Sequence, residues 1–457
     1  MRRLIGLGEV KRQALGPSSK PSPSVLRPVA LLIFAMGCSE PEQPSGPSAP
    51  SSAKVDSLAA PTLAPTPSAA TSGAASPSAA PPAPQAEPWL ERTLRDSDPR
   101  WDTWLAQAEA LRLQILVTVV TREGPWQTHA LRADAEYFYP ASAIKTFLAV
   151  AALRTLSEKA GGEIPLNSRI LRCAERKPGC QPPKEDEDPK QPPEEEKRKH
   201  DPKIRVGDEI RKMLSYSDND SYNRLYDVVG HAELNEEMRA MGFDSVRFHH
   251  RMSAPAEDSR ETLRVVVRPP GKAPLVFEKR TSSFDPPPTA AKGLEVGTAY
   301  RDRKGLVEEP LSFATKNAVS LRDLQKMTVS LLFPDRPEAA ALGLTEAQRA
   351  HLISSMTTSF KNRKHAAEHS PLTPGIVDAM GEKDIRYVGK SGRAYGFHLE
   401  NAFIEDKATG KAFFVTVTVY SNPNGVMNDD DYGYDDVTRP LLASLGGALA
   451  KALLAAP

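Results

Sequence analysis

The stretch Tyr139-Pro140-Ala141-Ser142-Ala143-Ile144-Lys145-Thr146-Phe147-Leu148 leads with a proline and a small residue into a long apolar-periodic run. The pattern predicts a helix that continues through Ala151, Leu153 and Leu156 and stops at Gly161-Gly162. Ser142 falls at its start and Lys145 three residues on, so the amine can reach the hydroxyl across one helix face. A serine hydroxyl attacks only when a neighbouring base takes its proton, and a lysine serves once burial or a nearby cation depresses its pKa. The helix start adds unpaired N–H donors suited to a developing oxyanion. Alone, two specified residues in four recur by chance about once or twice in a chain this long.

Two further stretches carry matching chemistry. After a helical approach over Ile204–Leu214 the chain reads Tyr216-Ser217-Asp218-Asn219, then Asn223 and Leu225. Ser217 can relay a proton toward a leaving nitrogen, and Asn219 can hold a substrate amide while touching Lys145. Ser-Asp-Asn is also a good turn or cap sequence. Near the C-terminus Asp384–Gly389 leads into Lys390-Ser391-Gly392-Arg393, read as a strand. A polar strand over Tyr395–Ile404 should pair with the alternating strand Phe413–Tyr420. A cation and a hydroxyl there would bind a carboxylate, and Gly392 would let the backbone approach closely.

Composition limits the setting. The net charge of +1 gives no field favouring nucleic acid. Arg2, Arg3, Lys11, Arg12, Lys20 and Arg27 precede a short apolar run, Val29–Met36, that is too short for a membrane span and fits a signal peptide over 1–38. Its end at Gly37-Cys38 resembles a lipobox, so export to the periplasm with a lipid anchor on Cys38 is expected; an ordinary signal peptide is the alternative. Residues 39–88 are almost entirely Pro, Ala, Ser, Thr and Gly, a tether that cannot bury enough surface to fold. From residue 89 a single domain is expected to 457. In an oxidising compartment Cys173 and Cys180 would pair across their turn. Pro182–Lys203 reads as a solvated insertion, and the acidic Asn428–Asp436 as a solvated loop rather than a calcium site.

Flanking elements fill in the order. A capped helix is expected after Ser97-Asp98-Pro99, strands over Leu113–Thr121 and Trp126–Arg132, and helices from Ser320 and from the capping box at Thr345-Glu346-Ala347-Gln348. A final helix should span Asp436–Leu454.

The sequence S-x-x-K, S-D-N, K-S-G, in that order, resembles the serine β-lactamase and penicillin-binding protein superfamily, and most closely its class A β-lactamase-like branch. The resemblance covers about Trp101 to Leu454. It implies an α/β (α+β) fold of the β-lactamase/transpeptidase type, an antiparallel sheet flanked by helices plus a helical subdomain, with the site between them. It implies Ser142 as the acylated nucleophile, Lys145 as its base and Ser217 as proton shuttle. Asn219 would contact the substrate amide, Lys390 and Ser391 its carboxylate, and the N–H groups of Ser142 and Arg393 the oxyanion. It implies no metal or cofactor, a small β-lactam or peptidoglycan peptide as substrate, and a monomer touching membrane only through a lipid.

The chain departs from that pattern in one place. Class A enzymes carry Glu-x-x-Leu-Asn on an Ω-loop soon after Ser-Asp-Asn, and none is found here. Glu257 is the candidate deacylation base by position, with Glu261 nearby, while His249 and His250 read as surface residues. A Pro- and Arg-rich insertion over about 263–314, with strand-like Val265–Val267, takes the loop's place. Hydrolysis of a β-lactam amide through a Ser142 acyl-enzyme is the expected activity. A D-alanyl-D-alanine carboxypeptidase or other peptidoglycan acyltransferase, and a non-catalytic penicillin-binding sensor, are the alternatives.

Overall fold

The computed structural model describes residues 87–173, 204–253, 257–359, 367, 370–381 and 384–455. Cys38, most of the 39–88 tether, Cys180 and the charged run to Lys203 lie outside the described residues, as do the side chains of Cys173 and Glu257.

The helix expected after Ser97-Asp98-Pro99 forms as α2 (Arg100–Ala106), stopping short of Ala108 and Leu111, and a helix not expected there, α1 (Trp89–Ser97), precedes it. Pro99 disfavours helical geometry at the residue before it, and Asp98 is extended, so the chain turns there. Next come β1 (Gln114–Val120), β2 (Gln127–Leu131), a 3-10 turn over Ala141–Ile144, and α3 (Lys145–Lys159). They are followed by β3 (Arg169–Cys173), α4 (Val206–Ser215), α5 (Asn219–Val229) and α6 (His231–Ala240). Short strands then form: β4 (Arg264–Arg268), β5 (Leu275–Phe277), β6 (Glu295–Val296), β7 (Ala299–Asp302), β8 (Gly305–Val307) and β9 (Leu311–Ser312). The remainder is α7 (Leu321–Leu332), α8 (Glu346–Met356), β10 (Thr357–Thr358), α9 (Thr373–Met380), β11 (Ile385–Ala394), β12 (Phe397–Asp406), β13 (Lys411–Tyr420), β14 (Val426–Met427) and α10 (Arg439–Ala450).

The main sheet runs β10-β11-β12-β13-β1-β2 with every neighbouring pair antiparallel. β12 and β13 are buried along nearly their whole length, so the polar residues His398, Glu400 and Asn401 of β12 lie buried with the apolar ones. One face packs against α1, α2, α9 and α10 around Trp101, whose indole N–H donates to Ser444 Oγ at 3.1 Å. The other face carries α3, which is buried on nearly all sides, with α5 and α7 beside it. Such burial accounts for a helix apolar all round rather than striped.

Two boundaries moved. Tyr395 is not in a strand: Tyr395 (φ 56°) and Gly396 (φ 79°) make a tight turn between β11 and β12. Positive φ at both central residues matches the right-handed twist of a hairpin, and the alternation continuing across the turn hid it. The 263–314 insertion is not one loop but small sheets, β3-β4-β5, β14-β7-β8 and β6-β9. Val265 and Val267 face the core while Val266 packs with Leu171 on the other side, the two-residue period of a strand. Ser320 caps α7 by accepting from Asp323 N, and Thr345 with Gln348 forms both bonds of the capping box on α8.

Candidate active site

Ser142 sits in the 3-10 turn rather than in α3 itself, with Ala141 at φ 44° just before it. The left-handed residue is strained for a non-glycine and stands directly ahead of the nucleophile candidate. The turn is fixed by β11. A Cβ on Gly392 would lie 2.6 Å from Pro140 O and 3.0 Å from Ala143 N, so only glycine lets the strand approach this closely.

Lys145 opens α3 and has no exposed surface. Its Nζ donates to Ser217 O and to Asn219 Oδ1, each at 2.5 Å, and lies 3.4 Å from Ser217 Oγ. Burial, then the Lys390 cation, pulls its pKa down to about 6, against a smaller opposing pull from Asp218. At neutral pH the amine is therefore uncharged. A neutral amine keeps a lone pair and can act as a base.

The Ser-Asp-Asn segment does what both of its readings require. Asp218 is the N-cap of α5, accepting from Ser221 N at 2.6 Å, while Ser217 and Asn219 turn toward Lys145. Ser217 has φ 58°, a second strained residue, and its Oγ accepts from Lys390 Nζ at 3.1 Å. Lys390, on β11, also donates to Ser391 O at 3.1 Å. Burial brings its pKa down to about 8, with Glu400 opposing. Three peptides far apart in sequence thus meet at Ser217. A cavity of about 320 Å³ opens beside them, lined by Leu214–Ser217, Ser355–Ser359, Tyr387 and Gly389–Ser391. Ser142 is not part of that lining, so the cavity lies on the Lys390 side of Ser217. Arg393 turns its guanidinium onto the Tyr434 ring at 5.0 Å and leaves only its backbone for the site.

Several participants escaped the sequence. Asn219 Nδ2 donates to Ser253 Oγ at 2.8 Å, so the far side of Asn219 is held by a hydroxyl. Asn223, one turn along α5, fixes that loop by donating to Met252 O and accepting from Met252 N. Arg251 pins it further: its buried guanidinium meets Asp227 at 2.6 Å and stacks on Tyr226 at 4.4 Å. A polar residue four positions after Asn219 was the available signal for Asn223. His249 and His250 are half-buried rather than exposed. Both backbone N–H groups donate to Asn317 Oδ1, and the His250 ring stacks on Tyr139 at 6.0 Å. Burial takes each imidazole to about 4, so both are neutral at neutral pH. Glu257 begins a 3-10 turn, Glu257–Arg260, and its side chain is outside the described residues.

Lys145 and Lys390 converge on Ser217, with Lys145 three residues along the chain from Ser142. The chain belongs to the β-lactamase enzyme family, whose model matches residues 105–449. No curated protein matches it. Among solved structures, a β-lactamase from Burkholderia vietnamiensis is 15% identical, covering 81% of this chain and 98% of its own, with a TM-score of 0.46. A β-lactamase from Streptomyces albus G is 16% identical, covering 80% and 99%, with a TM-score of 0.45. A PBP-A mutant in an acyl-enzyme complex with penicillin G is 14% identical, covering 79% and 95%, also with a TM-score of 0.45.

Proposed function

We propose that this protein is a serine acyl-transfer enzyme of the class A type, opening the β-lactam amide by attack of Ser142 and hydrolysing the resulting acyl-enzyme. The observation that carries this reading is the buried Lys145, three residues along from Ser142 and hydrogen-bonded to Ser217 and Asn219, whose amine burial holds largely neutral. Attack forms the Ser142 Oγ–carbonyl bond, and the proton moves to Lys145. Ser217, bridged between Lys145 and Lys390, returns a proton to the leaving nitrogen as the amide C–N bond breaks. The cationic Lys390 and the Ser391 hydroxyl hold the substrate carboxylate.

One observation favours a second reading in which the acyl-enzyme persists, as in a peptidoglycan acyltransferase or carboxypeptidase, or a penicillin-binding sensor. Asn219 is backed by the Ser253 hydroxyl, and a hydroxyl with an ordinary pKa is a poor base for activating water. The purified protein is mixed with a chromogenic cephalosporin and with a labelled penicillin, with Ser142→Ala as control. Sustained turnover supports hydrolysis. Stoichiometric labelling without turnover supports the second reading, with D-Ala release from a peptide separating carboxypeptidase from sensor. Labelling that is absent, or equal in Ser142→Ala, overturns both. Export and lipidation at Cys38 belong to the same proposal, and loss of radiolabelled palmitate incorporation in Cys38→Ala tests them.

A further inference from the structure

The cavity beside Lys390 is larger than the carboxylate assigned to it, and its two walls differ in character. At about 320 Å³ it falls at the lower end of ligand pockets, roughly 300–1,000 Å³, with room for a side chain as well as a carboxylate. One wall is β11, with Lys390 and Ser391, and Ser217 stands next to it. The other forms where α4 ends at Leu214 and Ser215 and α8 ends at Ser355 and Met356, with Thr357 following on β10. Among the described residues no carboxylate lines the cavity. The hydroxyls of the second wall have spent their protons. Ser215 Oγ donates to Ser355 O at 2.7 Å, Ser355 Oγ to His351 O at 2.8 Å, and Thr357 Oγ1 to Ile353 O at 2.8 Å. A hydroxyl has one proton to give, so each of these oxygens offers an incoming group only lone pairs. The Ser215 bond also ties the end of α4 to the end of α8, which holds the acceptors in place before anything binds. Both helices finish here, adding their last carbonyls and the negative ends of their dipoles.

We propose that this cavity is a subsite for the side chain on the nitrogen side of the scissile amide, and that it selects a side chain ending in N–H donors, an amine or an amide. Given Ser142 as the acylated residue and Lys390 as the carboxylate-binding group, as proposed above, the substrate class is a peptide whose leaving residue is basic or carries an amide. Its carboxylate faces Lys390 and Ser391 on β11, and its side chain reaches the ends of α4 and α8. An N–H group there meets oxygens that have lone pairs and no protons. A hydrocarbon of equal length fills the same space but leaves those acceptors unpaired once water is displaced. A carboxylate side chain does worse, since it meets lone pairs and two negative helix ends with no proton between them.

The test uses the full-length protein at neutral pH. N-acetylglycyl-D-alanyl peptides ending in D-lysine, D-glutamine, D-norleucine or D-glutamate are titrated calorimetrically into Ser142→Ala. Wild type is followed separately for labelling by a tagged penicillin and for release of the last residue. The D-lysine peptide should bind about tenfold more tightly than the D-norleucine peptide, the gain of a charge-assisted hydrogen bond, with D-glutamine between them and D-glutamate weakest. Added to Ser142→Ala, Thr357→Val and Ser355→Ala should each cut the D-lysine advantage by about threefold, the share of one neutral acceptor. The ranking of the peptides in Ser142→Ala decides the outcome even where an added substitution prevents folding. Equal affinities, a preference for D-glutamate or D-norleucine, or no measurable binding overturns the inference, as does a D-lysine advantage that survives both added substitutions. Penicillin labelling of wild type without discrimination among the peptides removes the subsite and leaves acyl transfer standing. Discrimination in a protein that neither labels nor releases a residue upholds the subsite and overturns acyl transfer.

Discussion

In the proposed reaction Lys145 takes the Ser142 proton only when neutral, and its pKa of about 6 would place the rise of acylation there. Lys390 would hold a carboxylate only when charged, and its pKa of about 8 would place the fall. Acylation by a labelled penicillin should therefore be bell-shaped between those values, and a monotonic rise above pH 8 would contradict it. Ser253 bears on the lifetime of the acyl-enzyme. It is exposed, so a longer side chain has room there, and its Oγ already meets Asn219 Nδ2. Ser253→Glu would bring a carboxylate to the amide that holds Lys145 and supply a base for water. Release of the acyl group should accelerate by about 10²–10⁴-fold in stopped-flow chase experiments. The added negative charge would also raise the Lys145 pKa, so the acid limb should move upward. The meeting of Lys145, Ser217 and Lys390 was legible in the sequence because each lies in a short motif whose chemistry is local. Ser253 was not. A serine in a loop acquires meaning only from what tertiary pairing brings beside it.

At the level of elements, the contact between β11 and the 3-10 turn is the joint that holds Ser142 in place. Gly392→Ala would push its new methyl into Pro140 O and Ala143 N, and backbone cannot yield as a flexible side chain can. Displacement of the turn by a fraction of an ångström to about 1 Å should cost around 10²-fold in acylation rate, measured at saturating and limiting substrate. The loop that carries Ser253 depends on a different joint. Arg251 lies between Asp227, the Asn223 carbonyl and the Glu261 carbonyl, and Asp227 also accepts from Leu263 N. Asp227→Ala would strand a buried guanidinium and orphan that N–H, costing about 3–5 kcal/mol in denaturant unfolding. Gly392 marked a close backbone approach in the sequence without naming what approaches, and the Arg251 joint was not visible at all. The helix and strand assignments around them were, since caps such as Thr345–Gln348 and the β-branched run in β13 are written in consecutive residues. Boundaries failed where periodicity ran through a turn, as at Tyr395-Gly396.

Over the whole molecule, the site is a standing cost to stability. Lys145 has a folded pKa lowered from 10.5 to about 6, so the unfolded chain binds more protons between those values. Stability from this group is therefore complete above the unfolded pKa and lost as the pH falls through the folded one. Lys145→Met removes that dependence. Its melting temperature should rise less steeply than wild type between pH 6 and 10, with the difference in slope reaching up to about 1.4 kcal/mol per pH unit. Equal slopes would mean that Lys145 is charged in the fold. On the opposite layer, Asp98 Oδ2 accepts from Ser444 Oγ, which in turn accepts from Trp101, so the first helices are stitched to α10. Tension entering at residue 87 is thus taken up at Leu90, Leu94 and Trp101, across the sheet from Ser142. A pull on that end would load the layer behind the sheet first, on the face away from Ser142.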